Sequence, residues 1–183
     1  MKPLLRFKSV TCRRGGRLLF EALDLNIGPG EALQLVGPNG SGKSSLIRLA
    51  AGLLRSEAGR IEAVPVALAD DSVALDGELP LRRALRFWGG AVDEAMASLG
   101  LANLARVPVR LLSAGQAKRA ALARVVASGA PLWLLDEPAN ALDAQSLALL
   151  AQVIERHRKS GGAVLAAAPG ELPGEWRTLE LGA

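Results

Sequence analysis

The sequence predicts an α/β fold with a mostly parallel sheet, because strand-like and helix-like segments alternate along most of its 183 residues. Short, fully apolar runs such as residues 132–135 are typical of strands buried on both faces of a parallel sheet. Near the N-terminus, two segments instead alternate apolar and polar residues, as half-buried strands do. We therefore expect a small antiparallel sheet to precede the parallel one.

The elements follow in chain order. The antiparallel strands are predicted at residues 4–10 and 23–27, with a turn at Gly15 and Gly16. A buried strand over 31–36 runs into a glycine-rich segment, and apolar residues at helical spacing then predict a helix over 44–54. Further along, Leu81, Leu85 and Trp88 are spaced for one helix face. The remaining predictions are a strand at 64–68, helices within 80–106 (the second at 92–99) and from 113 to 127, a strand at 132–135, a helix at 144–159, and strands at 163–168 and 178–181.

Composition favours a compact domain and argues against nucleic-acid binding. Half of the residues are hydrophobic, but the chain has only three Phe, three Trp and no Tyr, so Ala, Leu and Val must build the core. The net charge of +4 comes from basic residues spread along the chain, without the interleaved aromatic side chains on which bases stack. We expect an ordinary solvated basic surface, which would also suit work beside an anionic membrane leaflet.

No segment predicts membrane insertion or export. The charges of Lys2, Arg6 and Lys8 leave no apolar run long enough for a signal peptide. The longest apolar stretches fall far short of the roughly 20 residues that span a bilayer. The single Cys12 cannot form an internal disulfide, which fits a reducing compartment. Any membrane role is therefore expected to come through a partner.

Residues 37–44 read GPNGSGKS and match the phosphate-loop pattern G-x-x-x-x-G-K-S/T in full. The glycines allow backbone N–H groups to turn inward around an anion, and the following helix points its positive end at the same place. Lys43 would add a charge for the β- and γ-phosphates, and the Ser44 hydroxyl suits a Mg²⁺ position. The sequence thus predicts binding of ATP with Mg²⁺. The predicted phosphate-binding residues are Gly37, Pro38, Asn39, Gly40, Ser41, Gly42, Lys43, Ser44 and Ser45.

An acidic pair closes the apolar strand at residues 132–135. Asp136 would reach the carboxyl edge of the sheet, where a carboxylate can help hold a metal, so it joins Ser44 as a candidate metal ligand. Glu137 is the natural candidate to polarise an attacking water, and with Lys43 it forms the candidate catalytic pair. Taken alone, the pair could also be a simple acidic strand end, but the upstream phosphate loop favours function.

Residues 112–116 read LSAGQ and directly precede a predicted helix. Ser113 is a good helix N-cap, and its hydroxyl could also face a phosphate; simple capping is the alternative interpretation. One helix separates this segment from the strand that ends at Asp136, and the residues NALD at 140–143 begin the next helix.

The order phosphate loop, LSAGQ, LWLLDEP and ALD resembles that of the ATP-binding-cassette (ABC) ATPases, over essentially the whole chain. The resemblance implies an ABC-type P-loop NTPase domain over residues 1–183, with a helical subdomain near 80–128. It also implies that Ser113, Gly115 and Gln116 form a signature motif, and that Asp143 lies in the D-loop. In the implied head-to-tail dimer, Ser113 and Gly115 reach the γ-phosphate held by Lys43 of a second cassette.

A single small cassette of this family implies an ATPase that powers integral membrane permease subunits at the cytoplasmic face of the bacterial inner membrane. Within the family, the alanine of LSAGQ, the stretch AKRAALARVVASGAPLWLLDEPANALD over 117–143 and the short length resemble the haem-exporter ATPases of cytochrome c biogenesis. Three alternatives stay open. They are an ATPase of another ABC transporter, a degenerate cassette that binds ATP as a clamp, and a cassette ATPase acting on DNA or the ribosome.

Two family elements are missing from the sequence. Where the family has a histidine that donates to the γ-phosphate, this chain has Pro169, which cannot donate. No glutamine lies between Gln34 and Gln116, and the expected position of a glutamine loop, residues 67–72, contains Asp70 and Asp71. We interpret that stretch as an acidic surface turn. Because loss of one preorganised donor typically slows a reaction about 10² to 10³-fold, we expect intact ATP binding but slow hydrolysis.

No aromatic residue near Cys12 offers a platform for adenine, so Arg13 or Arg14 could replace it by planar contact. The only histidine, His157, lies in the middle of a predicted helix between two arginines, and we expect it to be a solvated surface residue.

Overall fold

The computed structural model describes residues 2–70 and 74–182. Within these residues the chain forms a three-stranded antiparallel sheet, a five-stranded parallel sheet and five α-helices, as the sequence predicts for the fold class.

The antiparallel sheet consists of β1 (Leu5–Arg14), β2 (Arg17–Ile27) and β4 (Ala58–Ala63), in the order β2-β1-β4. The hairpin turns at the two predicted glycines, but its strands are much longer than 4–10 and 23–27. Register shifts, with left-handed backbone at Ser9 (φ 46°) and Ala22 (φ 48°), break the apolar alternation on which the prediction depended. Strand β4 was not predicted, because only Ile61 gives it a bulky apolar side chain.

The parallel sheet has the order β5-β6-β7-β3-β8. Its strands lie within about two residues of the predicted positions, and their carboxyl ends meet at one edge. The strands are β3 (Ala32–Val36), β5 (Val66–Ala69), β6 (Leu132–Asp136), β7 (Ala163–Ala167) and β8 (Arg177–Glu180).

Glycines shorten two of the predicted helical stretches. The prediction of 44–54 becomes α1 (Lys43–Ala50), which ends before Gly52 (φ 71°). The predicted helical region 80–106 divides at Gly89 and Gly90, and its end forms a short 3₁₀ turn, with a second 3₁₀ turn beyond it. The other helices are α2 (Leu81–Arg86), α3 (Val92–Ser98), α4 (Ala114–Ala127) and α5 (Ala144–Lys159), and the 3₁₀ turns are Ala102–Leu104 and Val109–Leu111.

The prediction that Trp88 shares one helix face with Leu81 and Leu85 is wrong. Both leucines are fully buried, whereas Trp88 lies beyond the end of α2 and is 46% exposed. Its indole N–H donates to the Ala74 carbonyl at 3.1 Å, and the Arg124 guanidinium lies 4.7 Å from its ring.

The core occupies both faces of the parallel sheet. One cluster packs the helices α2 to α5 against the sheet, and the other joins α1 and the antiparallel sheet to its opposite face. As composition predicts, leucine, alanine and valine dominate both clusters. Among the described residues, no helix is long and apolar enough to cross a membrane.

The expectation that His157 is a solvated surface residue is wrong. Its imidazole stacks on the buried Trp133 ring, with centroids 3.8 Å apart and planes 7° from parallel. Gly162 leaves room for it, since a Cβ there would lie 2.2 Å from the imidazole. The imidazole therefore faces the sheet from the last turn of α5. The charged residues on either side of it in the sequence do not indicate this position. Burial lowers the pKa of His157.

Candidate nucleotide-binding site

The glycine-rich loop connects the end of β3 to the start of α1. Gly37, Gly40 and Gly42 have φ of 133°, 80° and 105°, in a region that residues with side chains rarely adopt. A Cβ at Gly37 would lie 2.2 Å from the Leu181 carbonyl oxygen, and one at Gly42 would lie 3.2 Å from Leu19. Backbone conformation therefore favours glycine at all three positions, and packing also requires it at Gly37.

Lys43 lies buried at the centre of this loop. Its ammonium donates to the carbonyl oxygens of Gly37 at 2.7 Å and Pro38 at 2.8 Å, so the side chain curls back over the loop. The Ser41 hydroxyl is buried and has no hydrogen-bond partner among the described residues. A buried cation in a loop that leads into the N-terminus of a helix fits an anion such as a phosphate.

The two candidate metal ligands contact each other. The Ser44 hydroxyl lies 3.1 Å from Oδ1 of Asp136, which is buried at the end of β6. A hydroxyl and a carboxylate are hard oxygen ligands of the type that Mg²⁺ prefers, usually together with substrate phosphates and water. No group of three or more His, Cys, Asp or Glu in the described ranges could hold a metal by itself. The pair fits a metal shared with a phosphate.

Glu137 follows Asp136 with a left-handed backbone, φ 49°. Its N–H donates to the Ala167 carbonyl of β7 at 2.8 Å, and its half-buried carboxylate accepts a hydrogen bond from the Asn140 side chain. The sharp turn after the strand directs the side chain towards the phosphate loop.

Part of the phosphate loop, Ser44 and Glu137 line one cavity of about 470 Å³. The structure thus brings Glu137 to Lys43 and Ser44, although it lies far from them in the sequence. It adds Leu19, which the sequence analysis did not single out. The cavity is lined by Arg14, Leu19, Asn39, Gly40, Gly42, Lys43, Ser44, Ser45 and Glu137.

The structure distinguishes the two arginines considered for the base. The Arg13 guanidinium forms an ion pair with Glu57, Nε to Oε2 3.0 Å, and also donates to the Gly16 carbonyl. Arg14 instead lines the cavity beside Leu19. A base bound beside the phosphate loop would therefore face Arg14.

The LSAGQ residues lie outside this cavity, at the start of α4. The Ser113 hydroxyl accepts from the Gln116 N–H at 3.3 Å, and the Gln116 side chain accepts from the Ser113 N–H at 2.9 Å, which completes a capping box. A Cβ at Gly115 would lie 2.7 Å from the Ala141 carbonyl oxygen. Capping is thus observed, and contact with a phosphate would require a second chain.

The departures from the family pattern are visible in the structure. Pro169 follows β7, and Gln34 of β3 holds the loop beyond it: its amide donates to the Gly170 carbonyl at 2.6 Å and accepts from the Leu172 N–H at 3.4 Å. The sequence analysis did not single out this buried amide. Asp70 does not line the cavity and interacts with Arg124, as expected for a turn that points away. Asp71, on which the same interpretation depends, lies outside the described residues.

Comparison with known proteins agrees with this geometry. Residues 20–140 match the family model described as ABC transporter. The structure described as the ATP binding subunit of an ABC transporter superposes with a TM-score of 0.83 over 91% of this chain and 79% of the other. Its sequence identity is 20%, so this likeness concerns the fold, and it confirms the predicted fold class.

Curated relatives are much closer in sequence. The cytochrome c biogenesis ATP-binding export protein CcmA of Sphingopyxis alaskensis is 57% identical over 175 residues, covering 91% of this chain and 90% of that protein. The protein of the same name from Novosphingobium aromaticivorans is 56% identical over 162 residues, covering 86% and 84%. The chain therefore belongs to the ABC transporter family and, within it, to the family of cytochrome c biogenesis ATP-binding export proteins.

Proposed function

We propose that this chain binds ATP with Mg²⁺ and hydrolyses it to power an ABC exporter that delivers haem for cytochrome c biogenesis. The observation that carries the proposal is the single cavity in which Lys43, Ser44 and Glu137 meet. The export role is supported by relatives up to 57% identical that are named cytochrome c biogenesis ATP-binding export proteins.

The residues divide the work according to their chemistry. The loop from Gly37 to Ser45 holds the phosphates through inward N–H groups and the Lys43 ammonium. Ser44 and Asp136 would hold Mg²⁺, which when bound neutralises phosphate charge. Glu137 acts as the catalytic carboxylate that orients the attacking water. Because Pro169 has no donor for the γ-phosphate, turnover is expected to be slow.

The proposed assembly contains two cassettes and a membrane part. Ser113, Gly115 and Gln116 lie outside the chain's own cavity, so a second copy arranged head to tail would bring them to the nucleotide. We propose a homodimer, in which each chain is one cassette over residues 1–183 with a helical subdomain at about 80–128. The dimer would bind integral membrane permease subunits at the cytoplasmic face of the bacterial inner membrane, without nucleic acid.

The test measures ATP turnover by the chain purified together with its membrane partners. The wild type should hydrolyse ATP, whereas Glu137→Gln should bind ATP and lose turnover. In cells that lack their own haem-export ATPase, the wild type should restore haem-loaded cytochrome c and Glu137→Gln should not. Turnover without restoration would assign the chain to another ABC transporter. Purification without any integral membrane protein would instead favour a cassette that acts on DNA or the ribosome.

A second candidate is a clamp that binds ATP with little turnover. The specific observation in its favour is Pro169 at the end of β7, together with the absence of a glutamine between residues 34 and 116 in the sequence. The same assay separates the two candidates. Equal, slow hydrolysis by wild type and Glu137→Gln, with ATP binding by both, would support the clamp.

A further inference from the structure

Asn140, in the loop between β6 and α5, holds Glu137 through both its side chain and its backbone. Its side-chain amide donates to the Oε2 atom of Glu137, and its backbone N–H donates to the Glu137 carbonyl at 3.2 Å. One carboxylate oxygen is therefore fixed from within the loop.

The loop that carries this contact is anchored at both ends. At its start, the Glu137 N–H donates to the Ala167 carbonyl of β7 at 2.8 Å. At its end, the Asp143 carboxylate caps α5 by accepting from the Ser146 N–H at 2.8 Å. Between them, Glu137 (φ 49°) and Ala141 (φ 61°) adopt left-handed conformations. Such conformations persist in side-chain-bearing residues only where the surroundings impose them, and they cluster at functional sites.

The first two turns of α4 brace the same loop from the side. Gly115 packs so closely on the loop that a Cβ there would lie 2.7 Å from the Ala141 carbonyl oxygen. Lys118 is buried, and its ammonium donates to the Asp136 carbonyl at 3.2 Å. The backbone is thus held on both sides of Glu137 and Asn140.

We infer that Asn140 is a positioning residue for Glu137: its amide fixes the orientation of the carboxylate that lines the phosphate-loop cavity. The amide donates to an ionised acceptor, which makes a stronger hydrogen bond than two neutral groups do. The structural part of this inference stands on the nucleotide-free chain, whereas its effect on rate rests on the proposed hydrolysis of ATP.

Proton exchange in the nucleotide-free chain tests the contact directly. The sequence has four asparagines, so their side-chain amide resonances can be assigned by single substitutions. The Asn140 side-chain proton that is donated to Glu137 should exchange with water about tenfold more slowly than the side-chain amide protons of the exposed Asn103, because a hydrogen bond must break first. Glu137→Ala should abolish this difference. Equal exchange of the two asparagines in the wild type would overturn the inference.

Kinetics of the complex with its membrane partners test the consequence. Asn140→Ala should lower kcat about tenfold and leave KM for ATP within about twofold, because substrate binding does not use Asn140. Asn140→Asp keeps the shape but places a negative charge beside Glu137, so kcat should fall at least as far. Asn103→Ala, an exposed asparagine on a 3₁₀ turn, is the matched control and should behave as the wild type.

The two measurements separate the possible failures. A wild-type kcat in both Asn140 variants would overturn the positioning role. A rise in KM with unchanged kcat would also overturn it, because it would indicate a structural effect on the binding loop. If the wild-type complex hydrolyses no faster than Glu137→Gln, the proposed hydrolysis fails, and proton exchange alone decides whether Asn140 holds the carboxylate.

Discussion

Two adjacent arginines near the turn of the hairpin have different surroundings. Successive side chains of a strand point to opposite faces, so Arg13 and Arg14 cannot share an environment. Arg13 is held by Glu57 on one side, and Arg14 lines the nucleotide cavity on the other. With no tyrosine in the chain, we propose that the planar guanidinium of Arg14, which lines the cavity, contacts the base.

We predict that Arg14→Ala lowers the affinity for ATP about fivefold, since a cation over an aromatic ring at an exposed site contributes about 1 kcal/mol. Arg14→Lys keeps the charge but lacks the plane, and it should lose nearly as much. Arg13→Ala is the matched control and should bind ATP as the wild type does. Equilibrium titration with a fluorescent ATP analogue measures all three. Wild-type affinity in Arg14→Lys would assign any Arg14 effect to charge alone.

His157 makes stability depend on pH. Burial lowers its pKa in the folded chain below the ordinary value of 6.5, so the unfolded chain binds the proton first as pH falls. The stability contributed by the neutral, stacked ring is therefore complete above about pH 6.5 and is lost as pH falls from there towards the lowered pKa.

His157→Phe keeps a ring on Trp133 but cannot titrate. We predict that the Tm of the wild type falls more than that of His157→Phe between about pH 7.5 and pH 5.5. Thermal unfolding followed by circular dichroism at several pH values gives both slopes. Parallel slopes would show that His157 does not contribute to the loss of stability.

At the scale of elements, the sequence predicted best the elements whose ends are set by neighbouring residues in the sequence. Helix α5 was predicted at 144–159 and lies at Ala144–Lys159, because Asp143 caps its start and Gly161 and Gly162 follow its end. Strand β4 has no such signal: its partner β1, and not its own apolar pattern, holds it in the sheet. The length of the hairpin was likewise hidden by bulges that only the pairing reveals.

The candidate site likewise contains residues that a sequence motif indicates and contacts that only the fold creates. The phosphate-loop pattern and the acidic strand end were sufficient to predict Lys43, Ser44 and Glu137 as site residues, and the structure places these three around one cavity. The Gln34 anchor and the Asn140 contact could not be predicted, because each depends on which backbone groups the fold brings within hydrogen-bond distance. Gln34 and the Gly170 carbonyl it holds are 136 residues apart in sequence.

The break between α2 and α3 allows a controlled test of packing. Gly89 (φ 77°) and Gly90 (φ 81°) have nearly the same backbone conformation. A Cβ at Gly89 would meet nothing within 4 Å, whereas one at Gly90 would lie 1.7 Å from the Ala127 carbonyl oxygen of α4. The two positions therefore separate backbone strain from steric overlap.

We predict that Gly89→Ala lowers the free energy of unfolding by about 1 kcal/mol, through left-handed backbone strain alone. Gly90→Ala should cost about 3 kcal/mol or more, since α4 must also move away. Urea unfolding measures both. Equal losses in the two variants would mean that the contact between this turn and α4 contributes nothing to stability.

At the scale of the whole molecule, the nucleotide cavity lies where the two sheets meet. The parallel sheet delivers the phosphate loop and the acidic pair, and the antiparallel hairpin supplies Arg14 and Leu19. Gly42 is packed against Leu19 and Phe20 of that hairpin, which ties the base side of the cavity to the phosphate side. The capped start of α4 does not line this cavity, and neither do Gly37, Pro38, Ser41 and Asp136 among the other predicted site residues.

In the proposed head-to-tail dimer, a complete nucleotide site needs residues from two chains. Glu137→Gln keeps the shape of the side chain and removes the proposed catalytic carboxylate, so the ATP-bound state should accumulate. With ATP and Mg²⁺, its mass should rise from 19.0 kDa towards twice that value, as measured by light scattering after gel filtration. Lys43→Ala, which loses a principal phosphate contact, should stay monomeric under the same conditions, as should Glu137→Gln with ADP. If Glu137→Gln binds ATP but remains monomeric, Ser113 and Gly115 only cap and pack their own helix, and the proposed head-to-tail dimer is wrong.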